Sequence, residues 1–210
     1  MRLVNLLSLC AEGWDPEGGP APRAGGSAPA VFSRRTFPQA AVATAIPVYS
    51  GHGRIKPPAP VPDVQLLCQS GASATLGSLV AGHATAVQLM FTQCTTTCPI
   101  QAAIFQRVQR LVPDMSGKGI QLLSLSIDPV SDTPKALSAW LRRFHAGPAW
   151  IAAAPSAKDG SLLQEFFGRA KSSYADHSTQ VNIVDRSGQL VWRTIELPTA
   201  EEIAEVLENL

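Results

Sequence analysis

Ala84-Thr-Ala-Val-Gln-Leu-Met-Phe91-Thr-Gln-Cys94-Thr-Thr-Thr-Cys98-Pro99 is the stretch from which the rest of the chain can be read. Its first eight residues form a near-continuous apolar run of strand length, the pattern of a central strand buried on both faces. After Pro99 the period changes. Ile100, Ile104, Val108 and Leu111 follow at helical spacing and predict the buried face of a helix. Pro99 suits a first helical turn, where its missing N–H costs nothing. Two thiols therefore stand on the loop that leads from a central strand into a long helix.

Working outward, Ile120-Gln-Leu-Leu-Ser-Leu-Ser-Ile127 is a second buried strand, closed by Asp128-Pro129. Asp132-Thr133-Pro134 reads as a helix start, with Thr133 as N-cap and Leu137, Trp140, Leu141 and Phe144 as the apolar stripe. Ala149–Ala153 is a short strand. Leu162, Leu163, Phe166 and Phe167 mark a third helix stopped by Gly168. Thr179–Val184 and Gln189–Ile195 flank the turn Asp185-Arg-Ser-Gly188 and read as an antiparallel hairpin. Thr199 with Glu202 is a capping box for a last helix, Ala200 to Asn209. On the N-terminal side, Val64-Gln-Leu-Leu-Cys68 is a strand, within which Cys68 reads as a small core residue. The βαβ half predicts parallel pairing and the late hairpin an antiparallel edge. The predicted class is α/β: a thioredoxin-like mixed sheet flanked by helices, over residues 61–210.

Residues 1–60 differ in kind. Glycine and proline cluster at Pro16–Pro20, Gly25-Gly26 and Pro57–Pro60, a composition that predicts a disordered or linker segment. Ser33-Arg34-Arg35-Thr36-Phe37, followed by the weakly apolar Ala40–Tyr49, resembles a twin-arginine export signal near residues 33–50, with Ala41-Val42-Ala43 as a small-residue cleavage site. A translation start at Val31 would bring the arginines close to the N-terminus. The expected location is periplasmic or otherwise extracytoplasmic. Leu7-Ser-Leu9-Cys10 is a poor acylation site, because a bulky leucine precedes the cysteine.

Composition narrows the function classes. A formal charge of +1 with no clustered basic face argues against nucleic acid as a partner. No apolar run approaches the roughly 18–20 residues of a membrane-spanning helix. Four cysteines, unevenly placed, predict a redox or metal role for the close pair rather than a disulfide framework. The positive end of a helix dipole favours thiolate over thiol, and Cys98, beside Pro99, is expected to be the better placed of the two. Three intervening residues, against two in a thioredoxin-type redox pair, still permit a disulfide and leave room for one soft ion.

By itself the pair leaves redox chemistry and metal binding open. A third donor would decide, and the chain has four histidines. His52 falls in the linker, His83 in a turn before the strand, and His145 at a helix end. His177, in Tyr174-Ala-Asp176-His177-Ser178, precedes the hairpin on a loop expected to face the cysteines. Two thiolates and an imidazole favour copper, Cu(I) above all, whereas structural zinc wants a fourth protein ligand. Asp176 is placed to orient the ring or simply to be solvated.

Three motifs in order carry a family resemblance: Phe91–Pro99; Leu125-Ser-Ile-Asp128-Pro129-Val-Ser-Asp132-Thr133-Pro134; and Asp176-His177-Ser178 with Val184-Asp185-Arg-Ser-Gly188. Residues 62–210 resemble the Sco/SenC family of copper-binding, thioredoxin-like proteins. The resemblance implies one copper ion held by Cys94, Cys98 and His177, with Asp128 shaping its turn. It also implies a role in assembling the binuclear copper site of cytochrome c oxidase, with that enzyme's copper-accepting subunit, or that of a related copper enzyme, as partner. Met90 stands where the family commonly has glycine, and the three threonines stand where it often has Pro-Asp-Val. The leading expectation is a copper-delivering assembly factor rather than a turnover enzyme. The rival is a thiol–disulfide oxidoreductase in which Cys94 and Cys98 form the redox-active pair, served by a thiol reductant. A vestigial interaction module is the third reading.

Overall fold

The computed structural model describes residue 10, residues 52–168 and residues 178–210. Eight strands form one sheet: β1 (Gly53–Pro60), β2 (Gln65–Cys68), β3 (Ser73–Thr75), β4 (Ala84–Met90), β5 (Ile120–Ser126), β6 (Trp150–Pro155), β7 (Asn182–Val184) and β8 (Gln189–Arg193). The helices are α1 (Leu76–Val80), α2 (Thr97–Leu111), α3 (Pro134–Arg143), α4 (Gly160–Phe167) and α5 (Ala200–Glu208). The strand order is β1-β8-β7-β4-β5-β6-β2-β3. This is the thioredoxin-like mixed sheet that the chain pattern predicts.

Every residue of β4, β5 and β6 is buried. These apolar runs pair in parallel, Ala84↔Ile120 through Met90↔Ser126 and Leu122↔Trp150 through Leu125↔Ala153. Alternation along each strand splits the core in two. Ala86, Met90, Leu122, Trp150 and Ala152 face one layer with Phe105, Leu137 and Leu207; Val87, Leu89, Leu123, Leu125, Ile151 and Ala153 face the other with Leu66, Leu163 and Phe167. Gln88 Oε1 and Gln121 Oε1 are buried without a hydrogen-bond partner, but other polar groups that interrupt these runs are paired: Ser124 Oγ accepts from Gln88 Nε2 at 2.7 Å and from Trp150 Nε1 at 2.9 Å. Pairing of this kind removes the penalty of burying an amide or hydroxyl in an apolar layer.

The predicted local signals operate. Thr133 Oγ1 accepts from Ala136 N–H and Thr199 Oγ1 from Glu202 N–H, capping α3 and α5. Gly188, at φ 77°, closes the β7–β8 turn in a conformation that suits glycine. The buried face of α2 is a correction. Cys98, Gln101, Ala102, Phe105 and Val108 point inward, whereas Ile100 is 51% and Leu111 38% exposed. Phe105 packs edge-on against Trp150 at 5.6 Å between ring centroids, and this aromatic contact sets the helix's rotation.

Two further expectations are revised. Gly53–Pro60, read as linker from its prolines, forms β1 on the sheet edge beside β8, pairing Arg54 with Trp192 and Ala59 with Leu190. Proline is tolerated there because an edge strand has one side without ladder bonds. Cys68 is buried, as expected of a core residue, but it is disulfide-bonded to Cys10 rather than a lone thiol. The apparent export signal at 33–50 lies outside the described residues. No helix among the described residues is long and apolar enough to cross a membrane.

Phe105→Ala should cost about 3–5 kcal/mol in denaturant unfolding, while Ile100→Ser should change stability by no more than about 0.5 kcal/mol. Cys68→Ser, which opens the Cys10–Cys68 link, should cost roughly 2–4 kcal/mol. Peptide mapping without reductant should recover Cys10 and Cys68 in one cross-linked species, which a start at Val31 would forbid.

Candidate metal centre

Strand β4 ends at Met90 and the chain turns at once, with Cys94 N–H donating to the Phe91 carbonyl at 3.1 Å. The turn is held to the neighbouring strand end by Asp132. Its carboxylate accepts from Thr92 N–H at 3.1 Å, from Thr92 Oγ1 at 2.6 Å and from Ser126 Oγ at 2.7 Å. Ser126 Oγ in turn accepts from Asp128 N–H at 3.0 Å. Asp128 shapes its own turn, as expected, by accepting from Ser131 N–H at 3.2 Å.

Helix α2 begins at Thr97, so Cys98 is its second residue and Cys94 lies just before the helix. Thr96, at the N-cap, makes no side-chain capping bond. The sulfur of Cys94 takes that place: Cys98 N–H donates to Cys94 Sγ at 3.4 Å, and Thr96 Oγ1 lies 3.7 Å from it. An amide left without an intrahelical partner is thus met by a polarisable sulfur at the positive end of the helix dipole.

The two thiols are consequently unequal. Burial alone would push the Cys94 thiol up. Hydrogen bonds from the Cys98 side chain and backbone and from Thr96 outweigh it and bring the thiol from 9.0 to about 7. Burial pushes the Cys98 thiol strongly up, reinforced by its hydrogen bond to Cys94. Cys98 is wholly inaccessible and Cys94 is 5% exposed. The expectation that Cys98 would ionise more readily is therefore reversed: the dipole acts on the sulfur that precedes the helix rather than on the one inside its first turn. Neither sulfur is in a disulfide.

Of the three expected ligands, the structure brings Cys94 and Cys98 together; His177 lies outside the described residues. The residues flanking its segment are described. A Cβ on Gly168 would come within 3.0 Å of Ser178 Cβ and 3.7 Å of Leu89 Cδ1, so the two described residues that flank the segment lie together beside Leu89 of β4. On the entry side, Arg193 Nη2 donates to the Phe166 carbonyl at 3.0 Å and Arg193 Nε to Asn182 Oδ1 at 2.8 Å. On the return side, the Glu196 carboxylate accepts from Ser178 Oγ at 2.9 Å and from both Thr179 N–H and Thr179 Oγ1. The other histidines serve locally: His83 Nδ1 lies 3.0 Å from the Ala81 carbonyl, and His145, at φ 52°, ends α3. Among the described residues, no cluster of three histidine, cysteine or acidic side chains could hold a metal.

Comparison with known proteins accords with this arrangement. The family model described as SCO1/SenC matches residues 56–210. The chain belongs to the SCO1/SenC family. A SCO2-like protein of Rickettsia prowazekii is 24% identical over 140 residues, spanning 61% of this chain and 66% of that protein. BsSco, a member of the Sco family of cytochrome c oxidase assembly proteins with a disulfide switch, superposes with a TM-score of 0.61 at 20% identity, covering 74% of this chain and 96% of the other. Copper-bound ScoI of Bradyrhizobium japonicum superposes with a TM-score of 0.58 at 21% identity, covering 72% and 99%.

Sequence reasoning located the cysteine pair but missed Asp132, which it used only to open a helix. The available signal was a carboxylate a few residues past Ser126, where a fully buried strand ends.

Alkylation of Cys94 in the reduced protein should rise about tenfold per pH unit below pH 7 and level off above it, since the thiolate is the nucleophile. Cys98 should stay unmodified until the protein unfolds. Peptide mass spectrometry after pulses of iodoacetamide across pH 5–9 measures both.

Proposed function

We propose that this SCO1/SenC protein binds one copper ion through Cys94, Cys98 and His177 and passes it to the copper-accepting subunit of a cytochrome c oxidase or related copper enzyme. The carrying observation is the buried cysteine pair at a helix N-terminus, where Cys98 N–H donates to Cys94 Sγ and the Cys94 thiol is lowered to about 7. Two soft sulfur donors select Cu(I) over harder divalent ions. His177 is adjacent in the chain to Ser178, which Glu196 holds and which lies beside Gly168. Copper is cargo here: the thiols lose their protons on binding, and transfer proceeds by exchange of sulfur and imidazole for the client's ligands.

The inequality of the thiols also supports a second reading, thiol–disulfide exchange. Cys94 thiolate would attack a client disulfide and release one client thiolate. Cys98, once deprotonated, would attack the mixed disulfide and release the other. The client gains two electrons and the Cys94–Cys98 pair loses them, so a thiol reductant must restore it. An extracytoplasmic site suits both readings, and the Cys10–Cys68 disulfide accords with an oxidising compartment.

The reduced full-length chain should bind one Cu(I) in competition with a chromophoric chelator. His177→Ala should weaken that binding by at least tenfold while leaving Cys94 alkylation unchanged. Equal affinity in wild type and variant would overturn the three-ligand reading. Trapping of a client through Cys94 in Cys98→Ser, but not through Cys98 in Cys94→Ser, would favour the exchange reading.

A further inference from the structure

We infer that Asp132 is a positioning residue for the thiol turn, acting through Thr92 and Ser126 and touching neither sulfur. The assignment deepens the copper reading and rests on it only for the metal's part in the test.

Asp132 is 2% exposed, and neither ion pair among the described residues, Arg107–Glu201 or Lys118–Glu208, includes it. A buried carboxylate held by hydrogen bonds alone is costly to retain, so its geometry must be supported from several sides. Here it is. The carboxylate joins Thr92, two residues past β4, to Ser126, the last residue of β5. These are the ends of the two parallel central strands. The backbone link from Ile127 N–H to the Met90 carbonyl is 2.9 Å long and extends the pairing beyond the strands. Two residues past Met90, Thr92 donates to the Asp132 side chain through both its backbone and its hydroxyl. Asp132 therefore continues the strand junction by side-chain bonds while freeing the chain to turn.

Cys94 is two residues beyond Thr92, and its own N–H is tied back to Phe91. With the helix fixed by the packing of Phe105, the distance from Cys94 Sγ to Cys98 N–H depends on where the turn starts, and Asp132 sets that start. Asparagine in its place keeps the volume. It loses one acceptor and turns an amide N–H₂ toward a donor, so the junction cannot be satisfied in the same way.

The test compares wild type, Asp132→Asn and Thr92→Val as reduced full-length chains. Three quantities are measured: Cu(I) affinity by chelator competition, the Cys94 alkylation rate of the metal-free protein at pH 7, and Tm. Asp132→Asn should weaken copper about tenfold or more, the scale of lost outer support at metal sites. It should also slow Cys94 alkylation several-fold at temperatures well below its Tm. Thr92→Val, which removes one hydroxyl, should shift both in the same direction by about twofold to fivefold. It decides the question if Asp132→Asn does not fold. A lowered Tm with copper affinity and alkylation rate within twofold of wild type would overturn the assignment. Slowed alkylation in a chain whose wild type binds no copper would sink the copper reading and leave the positioning role standing.

Discussion

The parallel register of β4 on β5 is the constraint on which the site depends. Seven consecutive pairs, from Ala84↔Ile120 to Met90↔Ser126, bring two buried strands to a common end. Beyond it, one strand continues into the cysteine turn and the other into the Asp-Pro turn. Because side chains alternate strictly, a slip of one residue would exchange the two core faces and separate Ser126 from the Thr92 side of the junction. The register is secured by both apolar layers together with the buried Gln88–Ser124–Trp150 bonds. The thiols inherit their position from that junction.

The difference between the thiols follows from where the helix starts. The sulfur that precedes α2 receives the Cys98 amide, whereas the sulfur within the first turn receives burial and the proximity of the first. One disposition yields a thiol lowered to about 7 and a second, wholly enclosed one pushed up. This suits a soft-metal pair, which must be deprotonated by the metal, and it equally suits a redox pair with an attacking and a resolving sulfur. The proposed third ligand, His177, is what would separate these chemistries. The bonds of Arg193 and Glu196 hold both flanks of its segment to β8 and the residues after it.

The Cys10–Cys68 link belongs to the opposite side of the sheet. Cys68 packs in the layer of Leu66, Leu123 and Ala153, while Cys94 and Cys98 pack in the layer of Met90, Phe105 and Trp150. Two cysteine pairs with different roles thus coexist: one closed and structural, one open and reactive. The sheet lies between the two pairs.

What the sequence by itself determined was everything that depends on near neighbours along the chain: the near-continuous apolar strands, the caps at Thr133 and Thr199, the glycine turn of the hairpin, and the placement of Cys94 and Cys98 between a strand and a helix. The family motifs were equally legible, because they are short and local. Tertiary structure alone decided which face of α2 is buried, since Phe105 meets Trp150 only after folding. It alone paired Cys10 with Cys68, 58 residues apart, and Asp132 with Thr92, 40 residues apart. It also made a strand of the proline-rich Gly53–Pro60 by supplying β8 as its partner. Periodicity and capping are properties of a few successive residues. Burial, thiol ionisation and carboxylate pairing depend on atoms contributed from distant parts of the chain, and the cysteine turn acquires its chemistry from them.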